Sequence, residues 1–162
     1  MTYTMAKEKK TICIDFDGVL HDYSEGYQGK DKFGEMIPGA DLGTQVLKEK
    51  GWTIIIYTTR PVTAALKKWL EKNNIKYDYI NENPDQPEDS KAGCKLAADI
   101  YLDDRGMTFR GQWSEWLLRE IAEFQPCSAK KTDQKKEMEK AYDDGKNWLR
   151  KTRAVLACDS SC

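Results

Sequence analysis

Four carboxylates stand just beyond two short apolar runs: Asp15 and Asp17 follow residues 11–14, and Asp103 and Asp104 follow residues 99–102. Another apolar run, residues 52–57, ends in Thr58, Thr59 and Arg60. Carboxylates gathered at one point repel one another, and a divalent cation relieves that repulsion. Oxygen donors without histidine or cysteine suit a hard ion, which favours magnesium. Magnesium keeps waters and also binds phosphate oxygens. A threonine hydroxyl (Thr58 or Thr59), a lysine (Lys95 or Lys91) and loop N–H groups would hold the other phosphate oxygens. The chemistry that wants this set is phosphoryl transfer. Asp15 can attack phosphorus to give an aspartyl-phosphate. Asp17 can protonate the leaving oxygen, then take a proton from the water that hydrolyses the intermediate. Gly18 permits the sharp turn that aims both side chains at one point.

Each piece alone has an ordinary explanation. D-x-D-G is a common turn, a Thr pair caps helices, and a lone lysine is usually solvated. Weight comes from order and spacing, with each piece at the same end of its run. Arg60 and Arg105 follow the motif residues and are expected to meet phosphate or leaving group, with a neighbouring acid as the other partner for Arg105. His21, Tyr23, Tyr27 and Phe33 lie in the segment after Gly18, where they could stack on a base or simply pack the loop down.

The groups share a site only if the runs are parallel strands of one sheet. Residues 11–14, 52–57, 77–80 and 99–102 read as short buried strands. Residues 40–50 and 62–73 have helical apolar spacing, with Gly51 after the first and Pro61 at the start of the second. Residues 81–90 read as a loop, and residues 91–98 as one or two helical turns. Strands alternating with helices predict an α/β fold, a Rossmann-like three-layer sandwich around a mostly parallel sheet. Right-handed crossovers then bring all strand C-terminal ends to one edge, where such sheets bind ligands.

Residues 113–124 predict an amphipathic helix with Trp113, Trp116, Leu117, Ile121 and Phe124 on one face. Residues 1–127 read as one core domain and 128–162 as a charged helical extension. Its stripe of Met138, Tyr142, Trp148, Leu149, Val155 and Leu156 predicts packing on its own domain or self-association into a homo-oligomer. The chain of 162 residues carries a net charge of −1, so no global basic field argues for nucleic acid. No run is long enough to span a bilayer and the N-terminus has no apolar signal core, so a cytoplasmic protein is expected. The five cysteines are scattered and form neither a zinc pattern nor a disulfide framework.

The residues ICIDFDGVL, IIIYTTR, Lys95 and IYLDDRG, in this order, resemble the haloacid-dehalogenase-like superfamily over roughly residues 11–113. The resemblance implies Asp15 as nucleophile and magnesium ligand. Asp17 becomes the general acid/base with its carbonyl on the metal, Thr58 the phosphoryl-binding hydroxyl, and Lys95 the neutralising lysine. Asp104 becomes the metal-binding acid and Asp103 its neighbour. An acid at position 17 points to phosphatases and phosphotransferases rather than dehalogenases. The segments 18–38 and 81–93 are too short to hold a cap domain, so the chain resembles the capless branch. The expected activity is magnesium-dependent phosphomonoester hydrolysis, on a phosphorylated small molecule or a nucleic-acid end. The alternatives are a nucleotide or polynucleotide-end phosphatase or phosphotransferase, and a non-enzymatic phosphate-binding scaffold.

Overall fold

The computed structural model describes residues 9–90 and 93–126. Strands β1 (Thr11–Ile14) and β2 (Thr53–Ile56) are rich in β-branched side chains, which suits strands buried on both faces. They pair in parallel, Ile12 with Ile54 and Ile14 with Ile56, so these isoleucines share one face while Cys13 and Ile55 share the other. Strand β3 (Tyr79–Ile80) adds to β2, and strand β4 (Ile100–Leu102) adds to β1. The four-stranded sheet has the order β3-β2-β1-β4 and is wholly parallel, as an α/β fold requires.

Helices α1 (Ala40–Glu49) and α2 (Ala64–Lys72) connect β1 to β2 and β2 to β3. Both cover the isoleucine face: Leu66 and Leu70 of α2 join Ile12, Ile14, Ile54, Ile56, Phe16 and Leu20 in the core, with Leu47 of α1 packed against them. Helix α1 stops where Gly51 takes φ 80°, a left-handed turn that glycine adopts without strain. Helix α2 begins two residues later than its spacing predicts, because the Thr63 hydroxyl accepts the Leu66 N–H at 3.2 Å and caps it there. Strand β3 is shorter than predicted. Asp78 keeps a backbone bond to the Ile54 carbonyl at 2.8 Å, and its carboxylate accepts the Ile54 N–H at 2.8 Å and the Lys48 ammonium at 2.6 Å.

The second sheet face departs from expectation. Residues 93–98 form no helix, and a single 3₁₀ turn, Glu88–Ser90, precedes them. Side chains hold this stretch in place instead. The Tyr57 hydroxyl donates to the Cys94 carbonyl at 3.2 Å, and the Tyr101 hydroxyl donates to the Leu96 carbonyl. Asn83 and Gln86 bond both backbone groups of Ala97 at 2.8 Å. Among the described residues, both strand-connecting helices therefore lie on one face of the sheet.

Helix α3 (Glu115–Glu123) starts after Ser114, whose hydroxyl accepts the Leu117 N–H at 3.2 Å. Its predicted apolar face is not a core face. Trp113 precedes the helix at 75% exposure, Trp116, Ile121 and Phe124 are exposed, and only Leu117 is buried. Neither segment 18–38 nor segment 81–93 holds a cap domain among the described residues. No helix of the described residues is long and apolar enough to cross a membrane. The extension 128–162, with its expected packing or self-association, lies outside the described residues.

Candidate active site

Strand order puts the acids together. The chain leaves β1 toward β2 on one side, while β4 lies on the other side of β1, so the two neighbours flank a topological switch point. Open α/β sheets form a crevice beyond the strand ends at such a point. Asp15 follows β1 there and Asp103 and Asp104 follow β4, and the Asp15 N–H donates to the Leu102 carbonyl at 2.9 Å. One carboxylate oxygen from each of Asp15, Asp103 and Asp104 lies within 4.8 Å of the other two.

This crowding shows in the electrostatics. Burial pushes the Asp15 carboxyl up. The Phe16 N–H, donating to its Oδ1 at 2.7 Å, pulls it back, and the negative charges of Asp103, Asp17 and Asp104 push it up again, to about 6. Asp104 is buried, with the Arg105 Nε 3.7 Å from its Oδ1, and the Arg105 N–H donates to Asp103 Oδ1 at 2.7 Å. Three convergent carboxylates whose mutual repulsion is felt at Asp15 are a donor set that fits a hard divalent cation.

Asp17 is held differently. Arg60 Nε donates to both of its oxygens, at 2.7 and 3.0 Å, and His21 Nε2 lies 2.6 Å from Oδ1. The Gly34 N–H donates to His21 Nδ1 at 3.1 Å, which fixes the tautomer: the ring proton sits on Nε2 and points at Asp17. Burial raises the Asp17 carboxyl, but the bonds from His21 and Arg60 and the guanidinium charge outweigh it, and the net direction is down. His21 and Arg60 are both buried. The expectation that they meet the substrate is therefore corrected: they hold Asp17, and His21 has no face open for stacking on a base.

Thr58 is buried, whereas Thr59 is exposed. Asn81 clamps Thr58 from both sides, accepting its N–H at 2.8 Å and donating to its carbonyl at 2.7 Å. The Thr58 hydroxyl oxygen accepts the Arg60 N–H at 3.1 Å, which leaves its own proton as a donor. Gly18, at φ 81°, serves the turn. Its N–H goes to the His21 carbonyl at 3.0 Å and so not to a ligand.

Lys95 is a second correction. It is exposed, and its ammonium lies 4.9 Å from the centre of the Tyr101 ring. Among the described residues it makes no ion pair with the acid cluster. Without the predicted helical turns, nothing there directs Lys95 toward the strand ends. Lys91 lies outside the described residues.

The segment from His21 to Met36 folds down onto Asp17 and α2. His21 bridges both Asp17 and Met36. Arg60 donates to the Gly29 carbonyl at 2.9 Å, Thr63 to Asp31 at 2.7 Å, and the Trp69 indole to the Gly34 carbonyl at 3.3 Å. At Gly34 the chain passes so close to itself that a Cβ would stand 2.2 Å from the Asp22 carbonyl oxygen.

Residue types alone missed Asn81 and the pairing of His21 and Arg60 with Asp17. The available signals were an Asn directly after a strand, a residue type that tolerates the left-handed φ of 55° found here, and a histidine four residues after an aspartate.

No protein-family model matches this chain, and no curated protein matches it. Among solved structures it is similar to one described as the conserved protein coded by a locus of Bacteroides thetaiotaomicron. The identity is 23% and the TM-score 0.48, over 72% of this chain and 91% of that one.

Proposed function

We propose that this chain is a magnesium-dependent phosphomonoester hydrolase of the capless haloacid-dehalogenase-like type, working through an aspartyl-phosphate on Asp15. The observation that carries the reading is the convergence of Asp15, Asp103 and Asp104 at the β1–β4 switch point. The order of motifs along the chain supports it independently. Bound there, magnesium would neutralise the carboxylates and draw charge from the phosphoryl oxygens.

The chain's own groups supply the rest. The Phe16 N–H holds one Asp15 oxygen and so sets the direction of the other, which attacks phosphorus as the bond to the leaving oxygen breaks. Thr58, clamped by Asn81, offers its O–H to a phosphoryl oxygen. The leaving oxygen takes its proton from water at the open strand edge, and Asp17, kept ionised by Arg60 and His21, then takes the proton of the hydrolytic water. Water then releases phosphate and regenerates Asp15.

The test is phosphate release from a generic aryl phosphate with and without magnesium. Turnover is expected only with the metal, and Asp15→Asn is expected to lose at least about a thousandfold, the scale on which a nucleophile acts as part of a unit. Turnover retained in Asp15→Asn, with the fold verified by circular dichroism, rejects the mechanism.

A further inference from the structure

One rim of the crevice is a row in which rings and guanidinium groups alternate. Tyr27 lies over Arg60 at 4.9 Å, Arg60 over Tyr23 at 5.9 Å, and Arg105 over the same Tyr23 at 5.9 Å. Arg105 closes the row beside Asp104, at 3.7 Å. The row thus runs from the acid cluster at one end to the exposed ring of Tyr27 at the other. Its inner members are explained by packing: Arg60 is buried, touches Phe16 and Phe33 as well, and holds Asp17.

Its outer members are not explained that way. Tyr27 is 58% exposed and the Arg105 side chain 60% exposed. Tyr27 sits on a glycine-flanked stretch, with nothing within 4 Å of the Cβ positions that Gly26 and Gly29 lack. A large ring left in water, backed by a buried cation that itself grips Asp17, is a stacking platform one guanidinium away from the reacting groups.

We infer that the Tyr27–Tyr23–Arg105 rim is a leaving-group subsite for a planar heterocycle, so that the substrate is the phosphate ester of a nucleoside. This rests on the phosphatase reading for its chemistry and on the exposed rim for its specificity. Aromatic platforms stack any base on its π-face, and Arg105 adds a second planar cation at the mouth. The open, capless edge admits the base of a free nucleotide or that of an oligonucleotide end.

The experiment compares adenosine 5′-monophosphate with ribose 5-phosphate, which carries the same ester and no base. With magnesium, kcat/KM for the nucleotide is expected to exceed that for the sugar phosphate by about tenfold or more, the low end of base–aromatic stacking. Tyr27→Ala is expected to remove most of that ratio, and Tyr27→Phe to keep it. Equal kcat/KM on the two substrates, or a ratio that Tyr27→Ala leaves standing, overturns the subsite.

Calorimetry on full-length Asp15→Asn with the same two compounds separates the two readings. Preferential nucleotide binding without turnover in the parent protein supports the subsite while the phosphatase reading fails. Turnover in the parent protein without that preference overturns the subsite alone. A 3′-phosphorylated oligonucleotide identifies the source: a salt-dependent advantage over the mononucleotide assigns a polynucleotide end, and no advantage assigns free nucleotides. Both results support the subsite.

Discussion

Asp15 is held under electrostatic tension: its carboxyl is pushed up to about 6 by burial and by the charges of Asp103, Asp17 and Asp104. Its linkage therefore runs opposite to that of most aspartates. Between the unfolded value near 4 and the folded value near 6 the native state binds the extra proton, so without metal this group's share of stability is lost as pH rises through about 6. Asp15→Asn removes the charge and keeps the shape, and is expected to raise the metal-free melting temperature at pH 7.5 by roughly 2–4 °C per kcal/mol recovered. Thermal melts in a chelating buffer measure it, and a fall in melting temperature contradicts it. A cation needs the deprotonated form. Magnesium affinity is thus expected to climb as pH rises from about 5 to 7, readable as a growing magnesium-induced shift in melting temperature. Asp17 is the counterpart, held low by His21 and Arg60. Burial raises both carboxyls; at Asp15 the neighbouring acids add to it, whereas at Asp17 the bonds from His21 and Arg60 outweigh it.

The elements were legible in proportion to how much of their signal is local. The cores of β1 and β2 are continuous apolar runs, and α1 ends at a glycine, so sequence pattern alone places them. The acid pairs are legible for the same reason, since parallel topology forces their strand ends to one edge. What failed depends on contacts distant in sequence. The spacing predicts helical turns at 91–98, yet Tyr57, Tyr101, Asn83 and Gln86 supply the backbone bonds that hold residues 93–98 without a helix. The family resemblance points to Lys95, with Lys91 as the alternative, yet Lys95 rests on the Tyr101 ring. Nor does anything local reveal that the loop after Gly18 is latched to α2 through Arg60, Thr63 and Trp69.

That loop yields a sharp element-scale test. Gly34→Ala places a methyl against the Asp22 carbonyl, and backbone must move to relieve it. The Gly34 N–H bond to His21 and the Trp69 bond to Gly34 are then lost together. A destabilisation of about 1–3 kcal/mol in urea unfolding is expected, with a larger fractional loss of turnover, because Asp17 loses its fixed partner. Unchanged stability and turnover would show that the loop is not held as described.

Among the described residues, burial is concentrated in β1 and β2 and is least in β4. Ile54, Ile55 and Ile56 are fully buried, while Ile100, Tyr101 and Leu102 are each about half or slightly less exposed. Among the described residues, strand β4 is an edge strand paired only with β1. Amide hydrogen exchange is therefore expected to be slowest in β1 and β2 and fastest, among the strands, in β4. Because Asp15 and the Asp103–Asp104 pair stand on opposite sides of the β1–β4 seam, bound magnesium is expected to slow exchange in β4 more than in β2. Mass-spectrometric exchange with and without the metal measures both, and equal protection of β4 and β2 contradicts the first.

The same seam has a kinetic meaning. The Thr11 N–H donates to the Asp99 carboxylate at 2.7 Å across 88 positions of chain, so pairing β4 closes a long loop. The connections from β1 to β2 and from β2 to β3 each close a shorter one through a helix. Loop-closure entropy makes long-range parallel pairing slow. A three-stranded sheet with α1 and α2 can therefore form early, with the edge of β1 bare until β4 docks. The acids that make up the candidate site come together only when β4 docks, so the described sheet closes at the place where the protein is proposed to react.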